Sequence, residues 1–167
     1  SYAFVGINGA GKTTIVKLLL NLYRPTSGRI TIDGVDINKF AVEEYWKNIG
    51  AVFQEFIQYP FDVNHNIGFG CVEKGFDSEC IKDAAKKSGA YEFVSKLKNG
   101  FETNLKKGWE ESTQLSLGQW QKIAISRVFM EDFPILVLDE PTASVDARTE
   151  YELYNKIKML INDRTCI

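Results

Sequence analysis

A glycine-rich segment near the start of the chain fits the pattern G-x-x-x-x-G-K-[ST]; it reads Gly6-Ile7-Asn8-Gly9-Ala10-Gly11-Lys12-Thr13. It follows a predicted buried strand over 2–5 and opens a predicted helix over about 12–23. In that context glycines let backbone N–H groups close around phosphate oxygens, and the helix N-terminus adds positive potential. The alternative, a plain glycine turn that caps a helix, needs a chance match of about one in a hundred for a chain of this size. The segment therefore predicts a nucleotide-binding site.

The residues of this loop are expected to have separate roles. Lys12 reaches the β- and γ-phosphates, and the Thr13 hydroxyl is placed to bind Mg²⁺. The candidate nucleotide-binding residues are Asn8, Gly9, Ala10, Gly11, Lys12, Thr13 and Thr14.

A second predicted strand, Ile135 to Leu138, is entirely apolar and ends at the acidic pair Asp139-Glu140. Such a strand is typical of the centre of a parallel sheet that is covered on both faces. Beside a phosphate loop, an Asp at this position holds Mg²⁺ or its water, and Glu140 can polarise the attacking water. Two solvated acids at a strand end are the alternative, which the phosphate loop disfavours.

The composition is that of an ordinary globular domain. Hydrophobic residues make up 44% of the 167 residues and charged residues 25%, and the net charge of −2 gives no basic field for non-specific nucleic-acid binding. The longest apolar run, from Phe133 to Leu138, is far shorter than the roughly 20 residues of a membrane span. Cys71, Cys80 and Cys166 lack CxxC spacing, so we expect reduced thiols without disulfides or a metal.

Strand and helix patterns alternate along the chain, which predicts an α/β fold with a helical insertion between two core halves. The further predicted elements are a strand over 29–32 with a hairpin turn at 33–34, a short helix over 42–47, a strand over 49–53, mostly helical structure over 64–130 and an amphipathic helix over 148–161. We expect the sequence to be a fragment of a longer protein. The predicted strand 2–5 has no residues leading into it, and 164–167 is typical of the start of a strand that does not finish.

The segment Leu115-Ser116-Leu117-Gly118-Gln119 leads into an apolar helix upstream of the acidic strand. Ser116 and Gln119 form an S-x-x-Q capping box, and a capped helix N-terminus is also an anion site. The segment resembles the signature of ATP-binding-cassette (ABC) ATPases, usually Leu-Ser-Gly-Gly-Gln. The motif order adds to the resemblance: phosphate loop, Gln54 after a strand, signature, acidic strand, Pro141-Thr142-Ala143, and Ala143-Ser144-Val145-Asp146.

The resemblance covers essentially the whole chain. It implies a P-loop NTPase (RecA-like) parallel-sheet core over 1–60 and 128–167, with an inserted ABC helical subdomain over about 61–127. ATP and Mg²⁺ are the implied cofactors. Two cassettes would enclose two ATP molecules head to tail, as a homo- or heterodimer.

The resemblance also implies roles for single residues. Glu140 would be the catalytic glutamate, and Gln54 would touch Mg²⁺ and couple the core to the helical subdomain. Thr13, Gln54 and Asp139 would hold Mg²⁺, with Asp139 acting through water. Ser116, Gly118 and Gln119 would meet the γ-phosphate held by the other protomer, and Asp146 would lie in the D-loop at the dimer seam.

Several positions depart from the family pattern. Leu117 replaces the first glycine of the signature and adds bulk near the neighbouring nucleotide. This puts in doubt how tightly the two cassettes would close around ATP. The adenine-stacking aromatic and the switch histidine of the family are both missing from this sequence. His65 cannot take the switch role, and we expect it to be a surface loop residue. Weak or absent ATPase activity is therefore expected of the isolated chain.

Two segments resemble exporters within the family. Tyr59 to Ile67 is similar to a pattern that ends in Glu-Asn-Ile, with His65 in place of the acid, in a region that receives the membrane domain. The aromatics Phe56, Tyr59 and Phe61 would suit such a socket, but ordinary packing explains them equally well. The segment 97–103 resembles Leu-Pro-x-Gly-Phe/Tyr-x-Thr, with Lys98 in place of proline, and 119–122 is reminiscent of bacterial peptide exporters.

The expected function is an ATP-binding and ATP-hydrolysing motor domain of an ABC transporter on the cytoplasmic face of a membrane, with a transmembrane domain as partner and no nucleic acid. Three alternatives stay open. The first is a soluble ABC ATPase that acts on ribosomes or DNA. The DNA-repair members of the resembled family carry long coiled coils inside the cassette, and they are disfavoured because the insert between Gln54 and Leu115 carries no heptads. A small-molecule kinase would need neither the signature nor the acidic pair. A cassette that binds ATP with little hydrolysis is kept open by Leu117.

Overall fold

The structure is a computed structural model of the chain, and it describes residues 2–7, 9–106, 108, 111–140, 151, 155, 158 and 164–167. Within these residues the chain forms two compact units. The first draws on 1–51, 133–139 and 163–167, and the second on 52–132 and 140–162.

Helix α1, Lys12–Leu19, follows the glycine-rich loop and ends earlier than the predicted residue 23. The reason is the left-handed backbone of Asn21, with φ of 55°. The N–H of Asn21 donates to Leu18 O at 3.0 Å, and the N–H of Leu22 donates to Lys17 O at 2.9 Å. These two bonds form a Schellman motif, in which asparagine takes the place usually held by glycine.

The predicted hairpin is confirmed. Strand β1, Thr31–Ile32, pairs antiparallel with β2, Val35–Asp36. The turn residues Asp33 and Gly34 have φ of 49° and 80°, the two positive values that a type I′ turn requires.

Helix α2, Val42–Trp46, contacts the C-terminal end of α1. The Trp46 indole N–H donates to Leu20 O at 2.8 Å, and the Tyr45 hydroxyl donates to Leu19 O. These two side chains satisfy carbonyls that a helix end leaves without an intrahelical partner. Burial raises the pKa of Tyr45, which keeps its hydroxyl protonated as the donor.

Apart from the β1–β2 hairpin, the described residues form a three-stranded sheet in the order β3-β4-β5. Its strands are β3, Ile49–Val52; β4, Ile135–Leu138; and β5, Thr165–Cys166. Strand β4 pairs in parallel with β5, and its inner residues Leu136 and Val137 are almost fully buried. The predicted central position of the apolar strand is confirmed.

The second unit is helical. The α-helices described within 52–132 are α3, Val63–Gly68; α4, Ser78–Ser88; α5, Tyr91–Val94; and α6, Leu117–Val128. Its core is one apolar cluster contributed by α3, α4, α5, α6 and the connections between them, with Val63, Ile67, Ile81, Ala84, Val94 and Ile123 all fully buried. The predicted helical insertion and the α/β class are confirmed.

Two local predictions were wrong. Residues 2–5 do not form a buried strand: Tyr2, Phe4 and Val5 are exposed, and Tyr2 N–H donates one bond to Cys166 O at 2.8 Å. Strand β5 is only two residues long and therefore offers a short ladder for pairing. His65 lies in α3 rather than in a loop, because the Asp62 carboxylate accepts the His65 backbone N–H at 2.8 Å and caps the helix.

Most of the predicted final helix over 148–161 lies outside the described residues; Tyr151, Asn155 and Lys158 are described and are helical. The three cysteines are free. Across the part of the chain that the structure describes, the helices are too short or too polar to cross a membrane.

Candidate nucleotide-binding site

The glycine-rich loop adopts the backbone that its sequence predicts. Gly9 and Gly11 have φ of 82° and 93°, values that residues with a Cβ rarely adopt. Gly11 is the N-cap of α1 and offers no side-chain cap, and the first turn holds no acidic residue. The helix therefore presents its N-terminal N–H groups and the positive end of its dipole beside exposed Thr13 and Thr14, which is favourable for an anion.

The Lys12 ammonium lies against its own loop. Lys12 Nζ donates to Gly6 O at 2.9 Å and to Ile7 O at 3.4 Å. A phosphate held by the loop would replace these neutral acceptors with a charged one, which makes a stronger hydrogen bond. These two bonds hold the lysine side chain at the loop.

The acidic pair follows β4 directly, at the carboxyl end of a parallel strand. Asp139 is only 5% exposed, and Glu140 is half-buried. Glu140 has φ of 46°, a left-handed conformation that non-glycine residues seldom adopt. The chain therefore changes direction sharply at Glu140. Carboxyl ends of parallel strands are where α/β folds bind ligands.

The signature segment forms the start of α6, as the capping-box prediction requires. Ser116 is the N-cap: its hydroxyl accepts the Gln119 N–H at 3.3 Å, and Gln119 Oε1 accepts the Ser116 N–H at 2.9 Å. Ser116 is exposed and keeps a hydroxyl proton that can be donated to an anion. Leu117, the first residue of the helix, is 49% exposed.

The structure distributes the predicted site residues over its two units. The phosphate loop and Asp139 belong to the first unit; Gln54, Glu140 and the signature belong to the second. Gln54 is exposed and lies two residues after the end of β3. Asn8 and Asp146 lie outside the described residues.

Residues 1–143 match the family model described as ABC transporter. The chain belongs to the ABC transporter family. This ABC chain is 40% identical over 161 residues to the ABC transporter B family member 26, chloroplastic, of Arabidopsis thaliana, covering 96% of its own length and 22% of that protein. It is 37% identical over 166 residues to the ATP-dependent lipid A-core flippase of Methylococcus capsulatus, covering 99% of its own length and 27% of the flippase.

Two further comparisons link the ABC chain to exporters. It is 35% identical over 162 residues to the subtilin transport ATP-binding protein SpaT of Bacillus subtilis, covering 97% of its own length and 26% of that protein. Its fold matches the structure of a bacterial Atm1-family ABC exporter with ATP bound, with a TM-score of 0.85 and 33% identity, over 96% of this chain and 27% of that one. The ABC chain therefore spans about a quarter of the length of these relatives.

The structure brings together two polar residues, Asn66, which the sequence analysis included only as part of the segment Tyr59 to Ile67, and Arg127, which it did not single out. Arg127 Nε donates to Asn66 O at 2.8 Å, and Arg127 Nη2 donates to Asn66 Oδ1 at 3.1 Å. The local signal for Arg127 was a charge near the end of the helix after the signature, and that pattern is also typical of a cation placed at a helix C-terminus.

Proposed function

We propose that this chain is the ATP-binding and ATP-hydrolysing motor domain of an ABC exporter. The observation that carries the proposal is the glycine loop before α1, with its left-handed glycines and its helix N-terminus without a side-chain cap, in a fold that matches an ATP-bound exporter. The acidic pair at the end of β4 and the capped signature helix supply the other parts that hydrolysis needs. We keep the functional division into a core of 1–60 and 128–167 and a helical subdomain of about 61–127.

The donor groups present are suited to ATP and Mg²⁺. Backbone N–H groups of the loop and the Lys12 ammonium would bind phosphate oxygens, with Asn8, Gly9, Ala10, Gly11, Thr13 and Thr14 as their neighbours in the loop. Thr13, Gln54 and Asp139 offer hydroxyl, amide and carboxylate oxygens, the hard ligands that Mg²⁺ prefers. When bound, Mg²⁺ would neutralise charge that develops on the phosphates.

The protein's own residues would then perform the reaction. Glu140, adjacent to buried Asp139, would orient a water and accept its proton. Ser116, Gly118 and Gln119 would bind the γ-phosphate held by a second cassette, with Asp146 at the seam between the cassettes. Binding of ATP would thereby hold two cassettes together, and hydrolysis would release them.

We propose two partners, a second cassette and a transmembrane domain, with the cassettes on the cytoplasmic face of the membrane and no role for nucleic acid. The flippase and subtilin-transport names among the relatives and the fold of an ATP-bound ABC exporter support this assignment. The aromatics Phe56, Tyr59 and Phe61 are the candidate socket for the membrane domain.

The test is the Glu140→Gln variant of the full protein. We expect the rate of ATP hydrolysis to fall by about 100-fold or more, because a general base contributes on the order of 10²–10⁴. ATP binding, measured by equilibrium titration, should be retained, whereas Lys12→Ala should weaken it. Unchanged hydrolysis in Glu140→Gln would refute the assignment.

One observation favours a second candidate, a cassette that binds ATP but hydrolyses it slowly. The Leu117 side chain is exposed at the start of the signature helix, where the family carries glycine. Slow loss of tightly bound ATP in the full-length dimer would favour this candidate.

A further inference from the structure

Arg127 carries a charge that has no counter-ion among the residues that the structure describes. Among the described residues its guanidinium makes two hydrogen bonds to Asn66, to the backbone oxygen at 2.8 Å and to Oδ1 at 3.1 Å. Its Cζ also lies over the Tyr59 ring, 4.8 Å from the centroid. Partial burial lowers the pKa of Arg127 because water is removed from the guanidinium. Such a charge is costly to bury unless it is hydrogen-bonded.

Asn66 is the centre of this contact. Its side chain is fully buried, and the two N–H groups of Nδ2 are shared among three carbonyls within hydrogen-bond distance: Tyr59 O at 3.0 Å, Phe61 O at 3.2 Å and Asp62 O at 3.0 Å. The amide oxygen of Asn66 accepts a hydrogen bond from Arg127 Nη2. Donors and acceptor of one buried amide thus tie the segment 59–62 to the end of α6.

Close backbone packing reinforces the same contact. A Cβ at Gly70, two residues after the end of α3, would lie 2.0 Å from Arg127 O, so the backbone after α3 and the end of α6 approach each other more closely than a side chain at Gly70 allows. Arg127 is also not placed as an ordinary helix-end cation, since its two guanidinium bonds go to Asn66 of α3 and not to carbonyls of α6.

Each of the two segments joined in this way is continuous along the chain with a part of the proposed nucleotide site. The segment 59–62 begins five residues after Gln54. Helix α6 begins at the signature, and Leu117 and Arg127 are separated by about 15 Å along the helix at 1.5 Å per residue. A shift of segment 59–62 would therefore be carried by a rigid helix to Ser116, Gly118 and Gln119.

We propose that Asn66 and Arg127 are positioning residues that make the segment after Gln54 and the signature helix move as one body. This inference rests on the proposed function. Neither residue is among those proposed to bind nucleotide; both act by fixing where the signature is presented. The buried Asn66 amide has hydrogen-bond partners for both its nitrogen and its oxygen, and such a contact specifies one geometry because a half-satisfied arrangement is costly.

The experiment uses the full-length transporter with Arg127→Met, Arg127→Lys and Asn66→Asp. Lys96→Met is the control, since Lys96 is an exposed cation of the same unit. We expect Arg127→Met to lower kcat for ATP by about tenfold with KM within about twofold, because a misplaced site loses rate rather than ground-state binding. Arg127→Lys, which keeps one donor and the charge, should recover part of the loss. Lys96→Met should match the wild type.

Hydrogen exchange with Mg²⁺ and a non-hydrolysable ATP analogue gives a second readout. In the wild type we expect the analogue to slow exchange in the phosphate loop, in 59–62 and in α6. In Arg127→Met and Asn66→Asp, protection of the phosphate loop should persist while protection of 59–62 is lost. A merely structural role would lower the unfolding temperature without separating these regions.

The outcomes are distinct. A folded Arg127→Met with wild-type kcat and wild-type protection of 59–62 would overturn the inference. If that variant does not fold, Arg127→Lys and Asn66→Asp decide by the same two measurements. A wild type without hydrolysis would refute the proposed function alone, and the exchange comparison would still test the connection between the segments.

Discussion

Leu117 occupies the first turn of the signature helix, next to the Ser116–Gln119 capping box. The cap is complete with leucine in place, so the substitution does not disturb how the helix begins. What it changes is the exposed surface, which carries a branched apolar side chain where glycine would expose backbone. We therefore expect its effect to fall on association with a second cassette.

The variant Leu117→Gly of the full protein tests this effect. We expect ATP turnover to rise between about threefold and about tenfold, because bulk is removed beside the partner's nucleotide. A tenfold rise would correspond to about 1.4 kcal/mol. Val72→Gly, which removes an exposed apolar side chain elsewhere in the same unit, is the control and should leave turnover unchanged. Equal or slower turnover in Leu117→Gly would show that the leucine is no steric barrier.

At the scale of elements, the end of α1 depends on α2. Trp46→Phe removes the indole donor to Leu20 O and keeps an aromatic ring. We expect the free energy of unfolding to fall by about 1 kcal/mol and the melting temperature by about 2–4 °C. Tyr23→Phe, which removes the hydroxyl of an exposed aromatic in the same unit, should leave the melting temperature unchanged in the same calorimetric scan. Equal melting temperatures for wild type and Trp46→Phe would contradict the capping role.

Helix α4 has an N-cap that titrates. Asp77 Oδ1 accepts the N–H groups of Cys80 and Glu79, both at 2.9 Å, and these bonds hold the pKa of Asp77 below its ordinary 3.8. Because the pKa is lowered in the folded state, the stabilisation is fully present above pH 3.8 and is lost as pH falls through the lower folded value.

Acid unfolding therefore separates two variants of this cap. Asp77→Asn keeps the acceptor and loses the charge, so we expect similar stability near neutral pH and a smaller loss of stability below pH 3.8. Asp77→Ala should be less stable at every pH, because the cap itself is gone. Identical pH profiles for wild type and Asp77→Asn, measured by circular dichroism, would argue against titration of this residue.

At the scale of the whole molecule, the chain covers only part of a nucleotide site that two cassettes would share. We therefore expect the purified 167-residue chain to hydrolyse ATP weakly or not at all, while the full protein hydrolyses it. A coupled assay at saturating ATP on both proteins makes the comparison, with Glu140→Gln as the blank. Robust turnover by the short chain would contradict this expectation.

Patterns over a few neighbouring residues predicted several features correctly. The hairpin turn at 33–34, the Ser116–Gln119 capping box, the short helix after residue 41 and the apolar central strand all depend on contacts close in sequence or on burial on both faces. The glycine conformations of the phosphate loop also follow from the local pattern. The roles of Gln54, Asp139, Glu140 and the signature remain predictions.

Contacts between residues far apart in sequence were decided by the tertiary structure. Arg127 and Asn66 are 61 positions apart, and Trp46 and Leu20 are 26 apart. Each of these bonds requires two elements to pack before donor and acceptor can meet, so a local pattern does not reveal them. The same reason applies to residues 2–5, whose apolar pattern predicts a buried strand but whose pairing depends on the length of β5. The sequence by itself determined the phosphate loop and the family; packing determined which polar groups hold the signature helix in place.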